Sequence, residues 1–285
     1  MPYDNREYWT KVHANLKGQL KAVGHPYLSE SYNQLKYSSE ASSLDKALQD
    51  VIIAFRQNKD QKISFLDIGA GSGYWTGSIS DRLSSQGYQI DVSALDMSND
   101  ALDVIKERFP FVLTIQDDLR TVSPDKFSES YDIVSACYCL HHLARVGEFI
   151  NALRFAGSSV KKGGFLLIMD PVLTKPYSKL DTMDFYSFRS KGYPRHLYFV
   201  DDILSDQGLV RSAMYPAISF FLNGQIEAPG FLSYLVIRQI WIRMQGIYRS
   251  DRLTGMMSGA LMSLDQMLKR NNLSFSSSVC VYHKQ

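Results

Sequence analysis

Three acids and a glycine turn carry the first chemical signal. Asp67, Asp96 and Asp118 each stand where an apolar run ends, and Asp67 is followed closely by Gly69-Ala70-Gly71-Ser72-Gly73. Such glycines let the backbone turn sharply and let a ligand approach the main chain. The spacing does not fit a dinucleotide fingerprint, because the third glycine would have to replace Tyr74 or Thr76. No lysine follows the turn, so a phosphate-binding loop is absent as well. What remains is a nucleoside-like ligand with no pyrophosphate to hold. Asp96 suits the ribose of such a ligand, since one carboxylate accepts from two neighbouring hydroxyls. Met97 follows it and is placed to pack on the face of a base.

A second signal lies beyond the fourth apolar run. His141 and His142 stand just past it, and an imidazole accepts a proton near neutral pH. Either is a candidate general base, and either can equally be a pocket wall. Cys137, Cys139 and His141 alternate on one extended segment with no fourth ligand in view, so no metal is expected. Cys139 lacks the partners that activate a thiolate and reads as a core or pocket residue. Tyr138 lines the same strand end. Tyr186, in the long aromatic connection 171–195, is expected in a pocket wall.

These residues need a sheet to hold them. Apolar runs over 63–68, 88–95, 111–115, 131–136 and 165–169 alternate with helical patterns over 74–86, 99–108 and 146–160. That alternation predicts a doubly wound parallel sheet. Helices are also predicted over 8–23, 41–56 and 199–207, with the Tyr- and Ser-rich stretch between the first two read as a loop with short helical turns. Further strands are predicted over 210–220 and 275–282. Between those two strands lie an apolar helix over 231–248 and a Met-rich helix over 255–269.

The acid followed by G-x-G-x-G, Asp67-Ile68-Gly69-Ala70-Gly71-Ser72-Gly73, resembles the first motif of class I S-adenosylmethionine-dependent methyltransferases. The similarity continues to about residue 170 through the other strand ends. It implies an α/β fold with a seven-stranded, mostly parallel sheet covered by helices on both faces, an N-terminal helical extension and a helical insertion before the last strand. The implied organisation is a cap over 1–60, the cofactor-binding domain over 61–221 and 271–285, and an insertion or lid over 222–270. The implied cofactor is S-adenosyl-L-methionine. The resemblance assigns Asp67 to its methionine end, the turn residues Gly69, Ala70, Gly71 and Gly73 to close backbone approach, and Asp118 with the Leu119 amide to adenine. Asp117 is the alternative adenine reader, and Ala136 closes the set at the fourth strand end. Tyr32 and Tyr37, with Trp9 and His13, precede the sheet and are candidates to offer ring faces to the positive sulfonium. Trp241 and Met244 are expected to close the acceptor pocket from the insertion, the competing role for that insertion being a homodimer interface.

Composition bounds the partners. The chain has 285 residues, 45% of them hydrophobic, and a formal net charge of +2. No basic block announces nucleic acid. Motif-wise, the N/D-P-P-Y/F signature of nitrogen-acceptor DNA methyltransferases is replaced by Ala136-Cys137-Tyr138-Cys139. Arg238 and Arg243 and the length of the apolar helix argue against a transmembrane span. The start, MPYDNREYW, lacks the features of a secretory signal, so a cytoplasmic location is expected by default. The expected activity is O- or C-methylation of a small apolar or amphiphilic acceptor in small-molecule biosynthesis. The alternatives are a non-catalytic adenosylmethionine-binding scaffold or assembly partner, and a peripheral-membrane lipid or prenyl methyltransferase.

Overall fold

Each apolar run that ends in an acid becomes a strand of one sheet. The computed structural model describes residues 5–22, 24–55, 62–174, 185–186, 191–224, 226–228, 230–273 and 276–285. Strands β1 (Ile63–Ile68), β2 (Ile90–Asp96), β3 (Leu113–Gln116), β4 (Tyr131–Cys137) and β5 (Val160–Asp170) run parallel. Two minor pairings follow: β6 (Val172–Leu173) with β9 (Arg195–His196), and β7 (Phe185–Tyr186) with β8 (Lys191–Gly192). With β10 (Leu209–Ile218) and β11 (Ser277–Lys284) the main sheet has seven strands in the order β10-β11-β5-β4-β1-β2-β3. In this sheet β11 runs antiparallel to the other six strands, and it fills the place between β5 and β10.

Side chains alternate across the sheet, and each face builds its own core. Phe65, Ile133 and Val281 point to a layer that holds α2 (Glu30–Phe55), α3 (Tyr74–Ser84) and α4 (Asn99–Arg108). Leu66, Val134 and Ala136 point to the opposite layer, with α5 (Val146–Ser159) and α6 (Leu197–Ser205). Ser98 caps α4, its side chain accepting from the Ala101 amide.

The N-terminal region departs from the sequence expectation. The first helix ends early, as α1 (Asn5–Asn15), with a 3-10 turn at Leu20–Ala22. The expected loop before residue 41 is helical from Glu30, making α2 a single 26-residue helix. Ser29 starts it, its hydroxyl accepting from the Tyr32 amide. The polar SSEASS run hid this half of the helix because its partners are remote. Lys269 donates to Ser39, Ser42 and Ser43, and Ser39 donates to Asp265. Both partners belong to α9 (Asp251–Arg270), which joins α7 (Phe220–Asn223) and α8 (Phe231–Tyr248) in the insertion. Among the described residues, no helix is long and apolar enough to cross a membrane.

Candidate active site

The glycine turn is built by contacts that exclude other side chains. Gly69 has φ +65°, and a Cβ there would lie 2.4 Å from Cys139 Cβ. Cys139 is pinned in turn, its thiol directed at the Ile68 carbonyl at 3.3 Å. The Gly71 amide donates to Asp96 Oδ2 at 2.8 Å, and the Ser98 amide donates to Oδ1 at 2.9 Å. Asp96 therefore ties the turn to the end of β2 while each oxygen keeps a lone pair for a further donor. Behind the turn, Asp67 is buried and accepts from Thr76 and Ser135, each at 2.6 Å. Burial pushes its pKa up to about 6, against the pull of those two hydroxyls.

A cavity of about 850 Å³ opens at these strand ends. Gly69, Ala70 and Gly71 form its floor, and Asp96, Met97, Asp117, Asp118 and Leu119 form one side. Asp118 is held by Arg120, whose Nη2 lies 2.6 Å from Oδ2, and Asp117 is paired with Lys126. Tyr37, Tyr74 and Trp75 make an aromatic wall, with Tyr37 and Tyr74 ring centres 4.3 Å apart. Trp9 and His13 of α1 close the cavity from above. His13 is buried, and desolvation lowers its pKa against the attraction of Asp96 and Asp100.

A second cavity, about 990 Å³, meets the first at Trp9, Tyr138 and His142. Its walls include Tyr27, Lys36, His141, Pro171 and Pro194. His141 Nδ1 lies 2.5 Å from Asp170 Oδ1, and the His141 amide donates to Asp170 Oδ2 at 2.8 Å. Its ring centre lies 3.9 Å from that of His142, tilted by 40°, and His142 meets Trp9 edge-on at 4.8 Å. Tyr138 occupies a left-handed conformation, φ 55°, which turns the chain sharply after β4. Its hydroxyl donates to Glu40 Oε1 at 2.6 Å and lies 2.7 Å from Ser277 Oγ. Lys36 Nζ lies 2.6 Å from the same Glu40 oxygen and 4.3 Å from the centre of the Tyr138 ring. Glu40 is fully buried, and desolvation raises its pKa despite Lys36.

The structure distributes the expected site residues unevenly. The turn glycines, Asp96, Met97, Asp118, Leu119, Tyr37, Tyr138 and His142 gather around the first cavity; of the turn set, Gly73 instead packs against Ile105 at the start of α3. Asp67 lies behind this cavity rather than on its wall, with its carboxylate occupied by hydroxyls. Ala136 points into the opposite core, because strand alternation gives the cavity side of β4 to Cys137. Tyr32, Trp241 and Met244 line neither cavity. They pack together with Tyr248 and Leu222 in a third apolar cluster, where Tyr32 also donates to the Leu222 carbonyl. Tyr186 has its side chain outside the described residues. Residues the sequence did not assign are Lys36, Glu40 and Asp170. Asp170 carried the same signal as the three assigned acids, a carboxylate at a strand end.

The chain belongs to the methyltransferase domain family, which matches residues 41–204, and it is a class I S-adenosylmethionine-dependent methyltransferase. An S-adenosylmethionine-dependent methyltransferase from Mesorhizobium loti shares the fold with a TM-score of 0.50 at 11% identity, covering 79% of this chain and 93% of that one. Another, from Archaeoglobus fulgidus, aligns with a TM-score of 0.46 at 16% identity over 86% of this chain and 94% of its own. By sequence, a non-reducing polyketide synthase of Aspergillus novofumigatus is 28% identical over 126 residues, which are 43% of this chain and 6% of the synthase.

The first cavity can be tested against the family's cofactor on its own chemistry. It offers a carboxylate with unused lone pairs, an apolar clamp of Met97 and Leu119, and a cluster of aromatic rings. A ribose, a purine and a sulfonium cation each find a matching group there.

Proposed function

We propose that this enzyme methylates an acidic O–H or activated C–H position of a small apolar or amphiphilic acceptor, and that His141, held by Asp170, removes the acceptor's proton. S-adenosylmethionine supplies a methyl group already activated on a sulfonium. Asp96 would hold the ribose, Met97, Leu119 and Asp118 the adenine, and the Tyr37, Tyr74 and Trp9 rings the charged end. Asp67 supports the turn from behind, through Thr76 and Ser135.

The observation that carries the proposal is the His141–Asp170 pair on the wall of the second cavity. With Asp170 accepting from Nδ1, the neutral ring is held in the tautomer whose Nε2 is free to take a proton. The imidazolium that forms keeps its carboxylate partner, which favours the transfer. Trp9, Tyr138 and His142 stand at the junction of the two cavities and exclude water from it. The match to part of a polyketide synthase supports a small carbon-skeleton acceptor with acidic positions of this kind.

In this reading residues 1–60 form the cap, through Trp9, His13, Lys36 and Tyr37, and 61–221 with 271–285 form the catalytic domain. Among the described residues, the insertion over 222–270 reaches the second cavity through Asn223 and Ile226. The test is methyl transfer from labelled cofactor into a cell metabolite extract, with mass analysis of the product. An O- or C-methylated product that His141→Ala no longer forms, while S-adenosylhomocysteine still binds, supports the reading. Methylation of a basic nitrogen, unaffected by His141→Ala, would overturn it.

A further inference from the structure

Helices α8 and α9 were expected to cover the acceptor cavity, yet their packing leaves a large apolar surface facing outward. On α8 only Ile237 and Tyr248 are buried. Phe231 and Leu232 are 75% and 77% exposed, and Leu235, Val236 and Ile242 share their side of the helix at 100° per residue. On α9, Leu253, Met256, Met257 and Met267 form a second exposed stripe. A surface of this extent signals something that covers it.

Charge decides what that is. Arg238, Arg243, Arg249, Arg252 and Arg270 are all exposed on this hairpin. Its acids are Asp265, which is buried, and Asp251, which accepts from the Ser31 amide at the base of the hairpin. A two-fold contact with a second copy would set five exposed arginines against each other with Asp251 as the one exposed acid of the hairpin. An anionic lipid leaflet matches both features, apolar side chains entering the acyl boundary while guanidinium groups meet phosphates. The side of α8 that packs on the protein carries Ile237, Trp241, Met244 and Tyr248, so the side carrying Phe231 and Leu232 faces outward.

We infer that the α8–α9 hairpin docks this enzyme in the plane of an anionic membrane surface. Ile226, which lines the second cavity, precedes Phe231 by a short linker. The docked edge thus leads to that cavity, and an amphiphilic acceptor could enter from the leaflet. This last link rests on the proposed function, whereas the docking itself does not.

The test is co-sedimentation of the full chain with vesicles of phosphatidylcholine alone or mixed with phosphatidylserine, beside sedimentation equilibrium without lipid. Binding is expected only with phosphatidylserine, weakening as salt rises. The double variants Phe231→Ser/Leu232→Ser and Arg238→Gln/Arg243→Gln should each weaken it tenfold or more. Both should retain the thermal transition and S-adenosylhomocysteine affinity of the parent, which shows the fold and cofactor site intact. Absence of binding to phosphatidylserine vesicles at low salt overturns the inference, as does binding unchanged in both variants. A dimer that dissociates in Phe231→Ser/Leu232→Ser without any vesicle binding assigns the surface to a second copy instead. Methyl transfer retained in His141→Asn, with vesicle binding intact, would overturn the catalytic reading and leave this one standing, whereas transfer lost in that variant with no vesicle binding by the parent would do the reverse.

Discussion

Asp170 grips His141 at two points, accepting from the ring at 2.5 Å through one oxygen and from the backbone amide at 2.8 Å through the other. The carboxylate thereby fixes both the tautomer and the angle of the ring. Asp170→Asn keeps the shape but offers the ring an amide in place of an anion. Turnover should fall by about 10²–10⁴, with S-adenosylhomocysteine affinity by calorimetry unchanged. Equal turnover in the variant would show that the ring needs no charged partner.

Asp96 is expected to set cofactor affinity. Asp96→Ala removes the wall carboxylate together with the anchor of the Gly71 amide. The loss is on the order of 2–4 kcal/mol if both ribose hydroxyls bond to it, which calorimetry would read as an affinity about thirtyfold or more weaker. Asp96→Asn retains one acceptor oxygen and should fall between the two.

Gly69 makes a prediction about stability alone. An alanine there combines φ +65° with a Cβ 2.4 Å from Cys139 Cβ. Backbone strain and overpacking together should lower unfolding free energy by roughly 2–5 kcal/mol, measured by denaturant titration. Cys139→Ser should not rescue it, because the clash is with Cβ, whereas Cys139→Gly should recover part of the loss.

Asp67 and His25 oppose each other in acid. Asp67 has a pKa raised to about 6 by burial, so protonating it favours the folded state. Its contribution improves as pH falls through about 6 and is complete below the unfolded value near 4. His25 is lowered to about 4 by burial, with Lys36 adding to the effect, so the folded state resists its protonation. That contribution worsens as pH falls below about 6.5 toward 4. Each amounts to about 3 kcal/mol at full extent. The parent should therefore show a shallow stability profile from these two groups between pH 4 and 6. Asp67→Asn should show a steeper loss on acidification, and His25→Gln the reverse, in denaturation series across that window.

The sheet and the first cavity were legible because the parallel strands are largely apolar and an acid stands at the end of β1, β2, β3 and β5. That pattern located Asp67, Asp96 and Asp118 before any geometry was known. It could not say that Asp67 turns inward, since Ser135 and Thr76 become its partners only when β4 and α3 pack on β1. The first half of α2 was illegible for a different reason. Its buried Ser39 donates to Asp265, 226 residues away, and Ser43 accepts from Lys269, and a local pattern carries no trace of such matches. Trp241 and Met244 were misplaced because a helix apolar on most sides does not disclose which side meets the protein. Structure sends Trp241 toward Tyr32 and Tyr248 and leaves Phe231 outside.

The Tyr138 hydroxyl lies between Glu40 of α2 and Ser277 of β11, and β11 sits in a gap already bounded by β5 and β10. During synthesis the glycine turn, Asp96 and Asp118 all emerge long before that strand can thread its gap. A nascent chain can thus assemble the floor and one side of the first cavity while the shared wall is still missing. The second cavity is the last compartment to take shape, and its formation waits on the most non-local pairing in the sheet.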